Sequence, residues 1–315
     1  MPVTIETIRE AQERISPYSL RTPCLRLNSL DEFLGCQVYV KAECMQITGA
    51  FKLRGALNKL LSLPREQLQG GVVAASSGNH GRAVAYGAKL LGASAAIVMP
   101  RTAPGIKIDG IRSLGAEVVL CDVSQRFRVA EELCRERNAA MVPPFNDPAV
   151  MAGQGTAGIE LVEQCPPLDM VVVPVSGGGL LGGVSAAVKA LSPETRVFGA
   201  EPEALPRYSA SLSAGGPVTV ERHATVADAL ASDTPGSLCF PLVQKHADGV
   251  VPVDDAFTLR GMKLLLLEGK LLAEPSSCIG IGAVLQGRLP VSPGMKVCFL
   301  ISGGNVGLDQ LDLLK

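Results

Sequence analysis

MVVVPVSGGGLLGGVSAAVKAL, residues 170–191, is the stretch on which the reading turns. Met170 to Val175 form a short, continuously apolar run bounded by glycine, which predicts a strand buried on both faces. Val184 to Leu191 then read as a helix, so the glycines between them sit at a strand-to-helix turn. Glycines there let the backbone approach a ligand closely, while free N–H groups and the helix dipole favour an anion. Three consecutive glycines, Gly177 to Gly179, exceed what a tight turn requires. The segment predicts a phosphate site. A second reading stays open on spacing alone: Gly177, Gly179 and Gly182 spell GxGxxG, and Glu201 ends the next strand where a ribose-binding acid would stand. That pattern suits a nicotinamide-dependent oxidoreductase. A Walker loop is excluded, because no Lys-Ser/Thr pair follows the glycines.

Outward from this core the same alternation continues in both directions. Upstream, VVAAS (72–76), SAAIVMP (94–100), EVVLCD (117–122) and AAMVPPF (139–145) read as strands separated by helical patterns, with Gly and Pro at nearly every junction. Downstream, RVFGAE (196–201) and KVCFLIS (296–302) are strands, and a long helix is expected through FTLRGMKLLLLEGKLL (257–272). An N-terminal helix starts at Ile5 with Thr4 as its cap, and VYVKAE (38–43) alternates like a strand. The stretch from about 205 to 255 is the least periodic. Apolar strands alternating with helices predict an α/β protein with parallel-rich sheets covered on both faces. Its length of 315 residues suits two lobes, one inserted as a middle block into the other.

Composition narrows the function classes. Lys+Arg 29 against Asp+Glu 30 leaves a net charge of -1, so no nucleic-acid partner or anionic membrane surface is expected. No apolar run approaches the ~20 residues of a membrane span, and the polar start MPVTIETIREAQERIS does not read as a signal peptide. Nine cysteines are scattered with no CxxC pair, and there are three histidines. Neither a disulfide framework nor a metal site is expected, and a reducing cytoplasmic setting fits best.

Three further segments carry chemistry. In TGAFKLRGA (48–56), Lys52 stands in mostly apolar surroundings, where desolvation would lower its pKa and equip it to form a Schiff base; an ordinary surface lysine is the plain alternative. SSGNHG (76–81) gathers hydroxyls, an amide, an imidazole and main-chain N–H groups at a predicted helix start, which suits a carboxylate or simply a capped turn. LISGGNVG (300–307) ends the last strand at Ser302. Glu274, in AEPSS, is a lone carboxylate with either a buried contact or a loop position.

Taken in order, TGAFKLRGA, ASSGNHGRA, GQGTAGIEL, VPVSGGGLLGG, AEPSS and ISGGN resemble the serine/threonine dehydratase and serine racemase family, pyridoxal-phosphate (PLP) enzymes of fold type II. The resemblance accounts for every motif, whereas the nicotinamide reading accounts for one. It implies a large cofactor-binding domain of residues 1–66 and 147–315 and a small mobile domain of residues 67–146. It implies Lys52 as the Schiff-base lysine with Phe51 beside the ring, and Asn79 on the phenolic oxygen. Ser176, Gly177, Gly178, Gly179 and Leu180 would wrap the phosphate, and Ser302 would face the pyridine nitrogen. Ser76, Asn79 and His80 would hold the substrate carboxylate, partly through main-chain N–H groups. Ser77 would stand across the ring from Lys52. The implied activity is dehydration of L-serine, L-threonine or a related β-hydroxy amino acid to a 2-oxo acid and ammonia, with racemisation as the competing outcome and a homodimer as the assembly.

The chain also departs from that family. Ala50 stands where serine is common, Ser176 where a fourth glycine is common, and Ala229 where glycine is usual. Relatives that bind a divalent cation use a Glu, a carbonyl and a following Asp. Here Glu201 has no such Asp, and Arg207 lies nearby. No metal is expected, with Arg207 supplying the positive charge instead.

Overall fold

The computed structural model describes every residue except Met1 and Ser77. Ten strands are β1 (Cys24–Arg26), β2 (Gln37–Ala42), β3 (Val72–Ala75), β4 (Ala95–Pro100), β5 (Glu117–Cys121), β6 (Ala140–Met141), β7 (Met170–Pro174), β8 (Arg196–Pro202), β9 (Gly249–Val253) and β10 (Lys296–Ile301). The helices through the middle of the chain are α1 (Ile5–Ile15), α2 (Asp31–Leu34), α3 (Lys52–Ser62), α4 (Arg65–Gln69), α5 (Asn79–Leu90), α6 (Gly105–Arg112), α7 (Arg126–Arg137) and α8 (Pro148–Gln164). They continue as α9 (Gly179–Leu191), α10 (Arg207–Ala214), α11 (Cys239–His246), α12 (Asp255–Leu267), α13 (Pro275–Leu285) and α14 (Leu308–Leu311).

Two sheets form, in the orders β1-β2-β10-β7-β8-β9 and β5-β4-β3-β6. Every pairing is parallel except β1 with β2. The alternation along each strand shows why both faces are covered. Val172, Phe299 and Ile301 pack toward α12 and α13, while Val171, Val173, Cys298 and Leu300 pack toward α8 and α9. In the smaller sheet Val72, Ala74 and Ile97 face α3 and α5, and Val73, Ala96 and Val98 face α7. This is the α/β, parallel-rich architecture expected from the apolar strands.

The strands of the smaller sheet all fall between residues 72 and 141. Its core also takes in Ile15 of α1 and Leu53, Ala56, Leu57 and Leu60 of α3, so a boundary at residue 66 runs through one apolar cluster.

Some local expectations shift. AAMVPPF pairs only at Ala140 and Met141, because Pro143 and Pro144 have no N–H to donate to a ladder. The long helix expected to run through FTLRGMKLLLLEGKLL stops at Leu267, and Lys270 just beyond it adopts a left-handed backbone with φ 55°. β9, unread in the aperiodic stretch, adds the edge strand. Cysteine is the clearest correction: Cys24 and Cys165 are joined as a disulfide, with Cα atoms 6.6 Å apart. A partner 141 residues away leaves no local spacing signal; β1 and the end of α8 bring the two together. The other seven cysteines are free.

One ionic cluster lies wholly inside. Arg54 on α3 donates to both oxygens of Glu43 (2.8 and 2.8 Å) and both of Glu160 on α8 (2.7 and 2.7 Å). Lys41 reaches Glu160 at 2.6 Å, and Thr22 donates to Glu43 at 2.5 Å. Two cations thus face two carboxylates, all nearly inaccessible. Removing one partner of such a set leaves buried charge uncompensated. Arg54→Ala should therefore lower stability by about 3–5 kcal/mol, read as a fall in the urea midpoint, with Arg54→Lys losing less.

Candidate active site

Parallel strands deliver their C-terminal ends to one place. Ser302 follows β10, Ser176 follows β7 and Ser76 follows β3, and all three line a single cleft of about 590 Å³ between the two sheets. Phe51, Lys52, Asn79, His80, Ser176, Gly177, Gly178, Gly179 and Leu180 line it as well. Of the residues singled out from sequence, Ser77 alone lies outside the described residues.

Lys52 is the first residue of α3, deep in the cleft, with Nζ donating to Pro144 O at 2.6 Å. Burial lowers its pKa to about 8, as the apolar setting of TGAFKLRGA predicts. The helix start behind it is fixed: Gln154 on α8 accepts the Gly55 N–H at 3.2 Å, and Arg54 sits in the ionic cluster. Nζ also lies 5.1 Å from the Phe51 ring centroid.

On the far side, Ser176 to Gly178 lead into α9, whose first turn has no side-chain cap. The N–H groups that open an α-helix have no partner within it. The glycines are demanded by their neighbours. A Cβ on Gly177 would lie 2.5 Å from the Phe145 ring, and one on Gly178, at φ +101°, would lie 1.7 Å from Tyr208 Oη. A loop this closely backed, with uncapped N–H groups on a helix start, has the donors to seat an anion such as a phosphate.

The turn after β3 behaves differently. Ser76 Oγ accepts the N–H groups of Gly78 (3.1 Å) and Gly81 (2.8 Å), so its hydroxyl shapes the loop. The His80 ring meets Val142 O at 2.8 Å through Nε2, while Nδ1 has no protein partner. Burial, then the neighbouring Lys52, pushes His80 down to about 3, so the ring is neutral. A neutral ring whose Nε2–H is engaged offers only a lone pair, so it gives a carboxylate no donor, whereas the start of α5 has main-chain N–H groups suited to one.

Asn79 is held at both ends of its amide. Nδ2 donates to the two oxygens of Glu274 (2.9 and 3.1 Å), and Oδ1 accepts from Asn305 at 2.9 Å. Glu274, left open between a buried contact and a loop position, is 2% exposed. Burial raises its carboxyl to about 7. Ser302 pairs with Ser277 through their hydroxyls at 2.9 Å, and Ser277 also receives the Gly303 N–H at 2.7 Å. Sequence reasoning missed Ser277, Asn305, Tyr208 and Phe145 as parts of this site. Ser277 stood in the quoted AEPSS, Asn305 at the end of the quoted ISGGN and Tyr208 beside Arg207; Phe145 stood in AAMVPPF, read only as a strand.

Glu201 answers the dinucleotide reading. Its carboxylate accepts from Tyr208 N (2.8 Å), Ser209 N (2.8 Å) and Ser209 Oγ (2.7 Å), and it is fully buried. It is committed to the start of α10 and offers nothing to a ribose. Among the described residues the one trio of clustered metal-ligand types is Cys24, Cys165 and Cys298, two of them already joined to each other. No described helix is long and apolar enough to cross a membrane.

The residues fit PLP: a lysine amine with lowered pKa, an uncapped glycine cradle for the phosphate, and a neutral hydroxyl pair at the end of β10. Comparison with known proteins agrees. Residues 15–303 match the family described as pyridoxal-phosphate dependent enzyme. L-threonine ammonia-lyase of Thermotoga maritima is 43% identical over 312 residues, covering 98% of this chain and 77% of that protein. Serine racemase of Oryza sativa subsp. indica is 41% identical, covering 98% and 92%. The solved structure of maize serine racemase superposes with a TM-score of 0.94 at 39% identity, covering 99% of this chain and 97% of that one. With the cleft, the lysine and the glycine loop arranged in this way, the chain belongs to the pyridoxal-phosphate dependent enzymes, in the serine/threonine dehydratase and serine racemase family.

Proposed function

We propose that the protein is a PLP-dependent ammonia-lyase that converts L-serine, L-threonine or a related β-hydroxy amino acid to a 2-oxo acid and ammonia. The observation that carries this reading is the pairing, across one cleft, of the Lys52 amine with the uncapped glycine loop at the start of α9. Lys52 would hold the cofactor covalently, Ser176 to Leu180 its phosphate, Asn79 its phenolic oxygen and Ser302 its ring nitrogen. Bound there, PLP supplies an electron sink for the pair left when a Cα proton departs.

The chain's own groups do the rest. Main-chain N–H groups at the start of α5 orient the substrate carboxylate, with Ser76 shaping that turn. Lys52 is the base for the Cα proton, since its lowered pKa keeps a sizeable neutral fraction near neutrality. The ammonium so formed can return that proton to the departing β-hydroxyl, which leaves as water. The released enamine then takes up water and breaks into the 2-oxo acid and ammonia. Ser302, paired with Ser277, would offer the ring nitrogen a neutral hydroxyl and not a carboxylate, a setting that would leave it unprotonated and favour β-elimination.

Racemisation is the second reading, supported by relatives named serine racemase at 41% and 39% identity. It requires a proton donor on the opposite face, the role the family resemblance implies for Ser77. Residues 67–146 would move as a small domain over the substrate. A homodimer is supported by the exposed Tyr18, Leu20, Met45 and Ile47, gathered where the Gln46 amide bonds both the N–H and the C=O of Leu20 at 2.9 Å. Seven free cysteines favour the cytoplasm, against the single Cys24–Cys165 pair. Light scattering at twice the chain mass and cell fractionation check these two points.

Two outcomes are expected for the activity. Hydride trapping followed by mass spectrometry should find the adduct on Lys52, and a panel of serine, threonine, their D-forms and bulkier β-hydroxy amino acids should release 2-oxo acid from at least one L-substrate. An adduct elsewhere, or serine recovered racemised with no 2-oxo acid formed, would contradict the lyase reading. Capture of PLP by cofactor-free protein should quicken about tenfold per pH unit below pH 8 and level off above it, as the Lys52 amine loses its proton. A rate still climbing at pH 10, the range of an exposed lysine at about 10.4, would show the amine to be solvated.

A further inference from the structure

The phosphate loop is held from behind. Val175, Ser176 and Gly177 present three successive carbonyl oxygens to the first two residues of α10. Arg207 donates from Nη2 to Val175 O (2.8 Å), from Nε to Ser176 O (3.3 Å) and from Nη1 to Leu205 O (2.9 Å). Tyr208 donates from Oη to Gly177 O at 3.1 Å. Both side chains are fully buried, and neither lines the cleft. Glu201 anchors the pair, taking the Tyr208 N–H at 2.8 Å and lying 4.0 Å from the Arg207 guanidinium.

Peptide planarity carries this to the other side of the loop. In a trans peptide the C=O of one residue and the N–H of the next point in opposite directions. Three carbonyls drawn toward α10 therefore turn the N–H groups of Ser176, Gly177 and Gly178 away from it, to the side on which these residues line the cleft.

We propose that Arg207 and Tyr208 are positioning residues for the cofactor's phosphate, an internal guanidinium and phenol that hold the loop's N–H groups in anion-binding register with no divalent cation taking part. The surroundings of Arg207, three carbonyls and a carboxylate, are all oxygen, the kind a hard divalent cation also takes; here a fixed side chain fills them. Burial lowers Arg207 only to about 10, so it stays charged at neutral pH. Gly178 is matched to the arrangement, since any Cβ there would collide with the phenol. The inference rests on the reading of the cleft as a PLP site.

Binding of PLP and of unphosphorylated pyridoxal to the full chain separates this role from a merely structural one. Arg207→Met should weaken PLP binding by about tenfold or more and leave pyridoxal affinity within about twofold, so the preference for the phosphorylated form collapses. Arg207→Lys should recover part of it. Tyr208→Phe, a milder change, should weaken PLP by about threefold to tenfold with pyridoxal unaffected, and keeps the test open if Arg207→Met fails to fold. Wild-type protein treated with EDTA should retain PLP with unchanged affinity. Losses of PLP and pyridoxal in equal proportion, variants that bind PLP as wild type does, or PLP lost on chelation and regained with Mg²⁺ would each overturn the proposal. Wild-type protein that binds neither compound would overturn the cofactor reading itself, a distinct result.

Discussion

A guanidinium buried two residues beyond Lys52 fixes the helix that opens on the cleft. Arg54 joins α3 to Glu43, just past β2, and to Glu160 on α8, so the helix that begins with Lys52 cannot shift against either without separating buried charges. The constraint travels further along α8. Gly155 and Gly158 let that helix lie against α9 so closely that a Cβ on the facing Gly183 would sit 2.3 Å from Met151 O. Lysine helix, shared helix and phosphate-loop helix are thereby locked in series. Lys52 and the glycine loop from Ser176, 124 residues apart in the chain, are held across one cleft.

That locking explains which side chains must be polar inside an otherwise apolar protein. Lys41 lies on a central strand and is completely buried, yet it neutralises Glu160, accompanied by the carbonyl of Thr22. The four charges balance, and each has hydrogen-bonding partners, which is the condition under which buried ions are tolerated. Such a cluster adds less to net stability than apolar packing would. It does dictate one arrangement of α3, α8 and β2, and a site built on three elements requires that uniqueness.

Local pattern made the elements readable and left their company unread. Apolar runs such as MVVVPV announce buried parallel strands because burial on both faces removes polar alternation, and the glycine loop announces itself because its neighbours forbid side chains. Lys52 was legible through its apolar flanks and the family pattern. By contrast, the Cys24–Cys165 pair, the Phe145 ring under Gly177 and the bond from Asn305 to Asn79 join residues far apart in sequence, and nothing local encodes them. Glu274 illustrates the middle case. Its position before Pro275 shows it starting a helix, but only the folded chain shows Asn79 beneath it and burial holding its carboxyl near neutrality. The long helix expected from residue 257 failed at Glu268–Gly269–Lys270 because glycine and a left-handed lysine outweigh the leucine periodicity around them.

Full charges border the cleft as well as dipoles, for Lys52, Lys107, Arg126, Arg222, Asp228 and Asp233 all line it. His80 is kept neutral by burial and by Lys52, burial raises the Glu274 carboxyl to about 7, and the end of β10 offers hydroxyls. The starts of α9 and α5 add main-chain N–H groups of the kind that suit a phosphate and a carboxylate. Dipoles of that kind are fixed in direction, so they discriminate by position where a mobile cation would attract any anion. The Lys52 amine, at about 8, is partly neutral at neutral pH. Burial lowers that amine's pKa, and the nearby Cys239 and Glu274 pull it part of the way back.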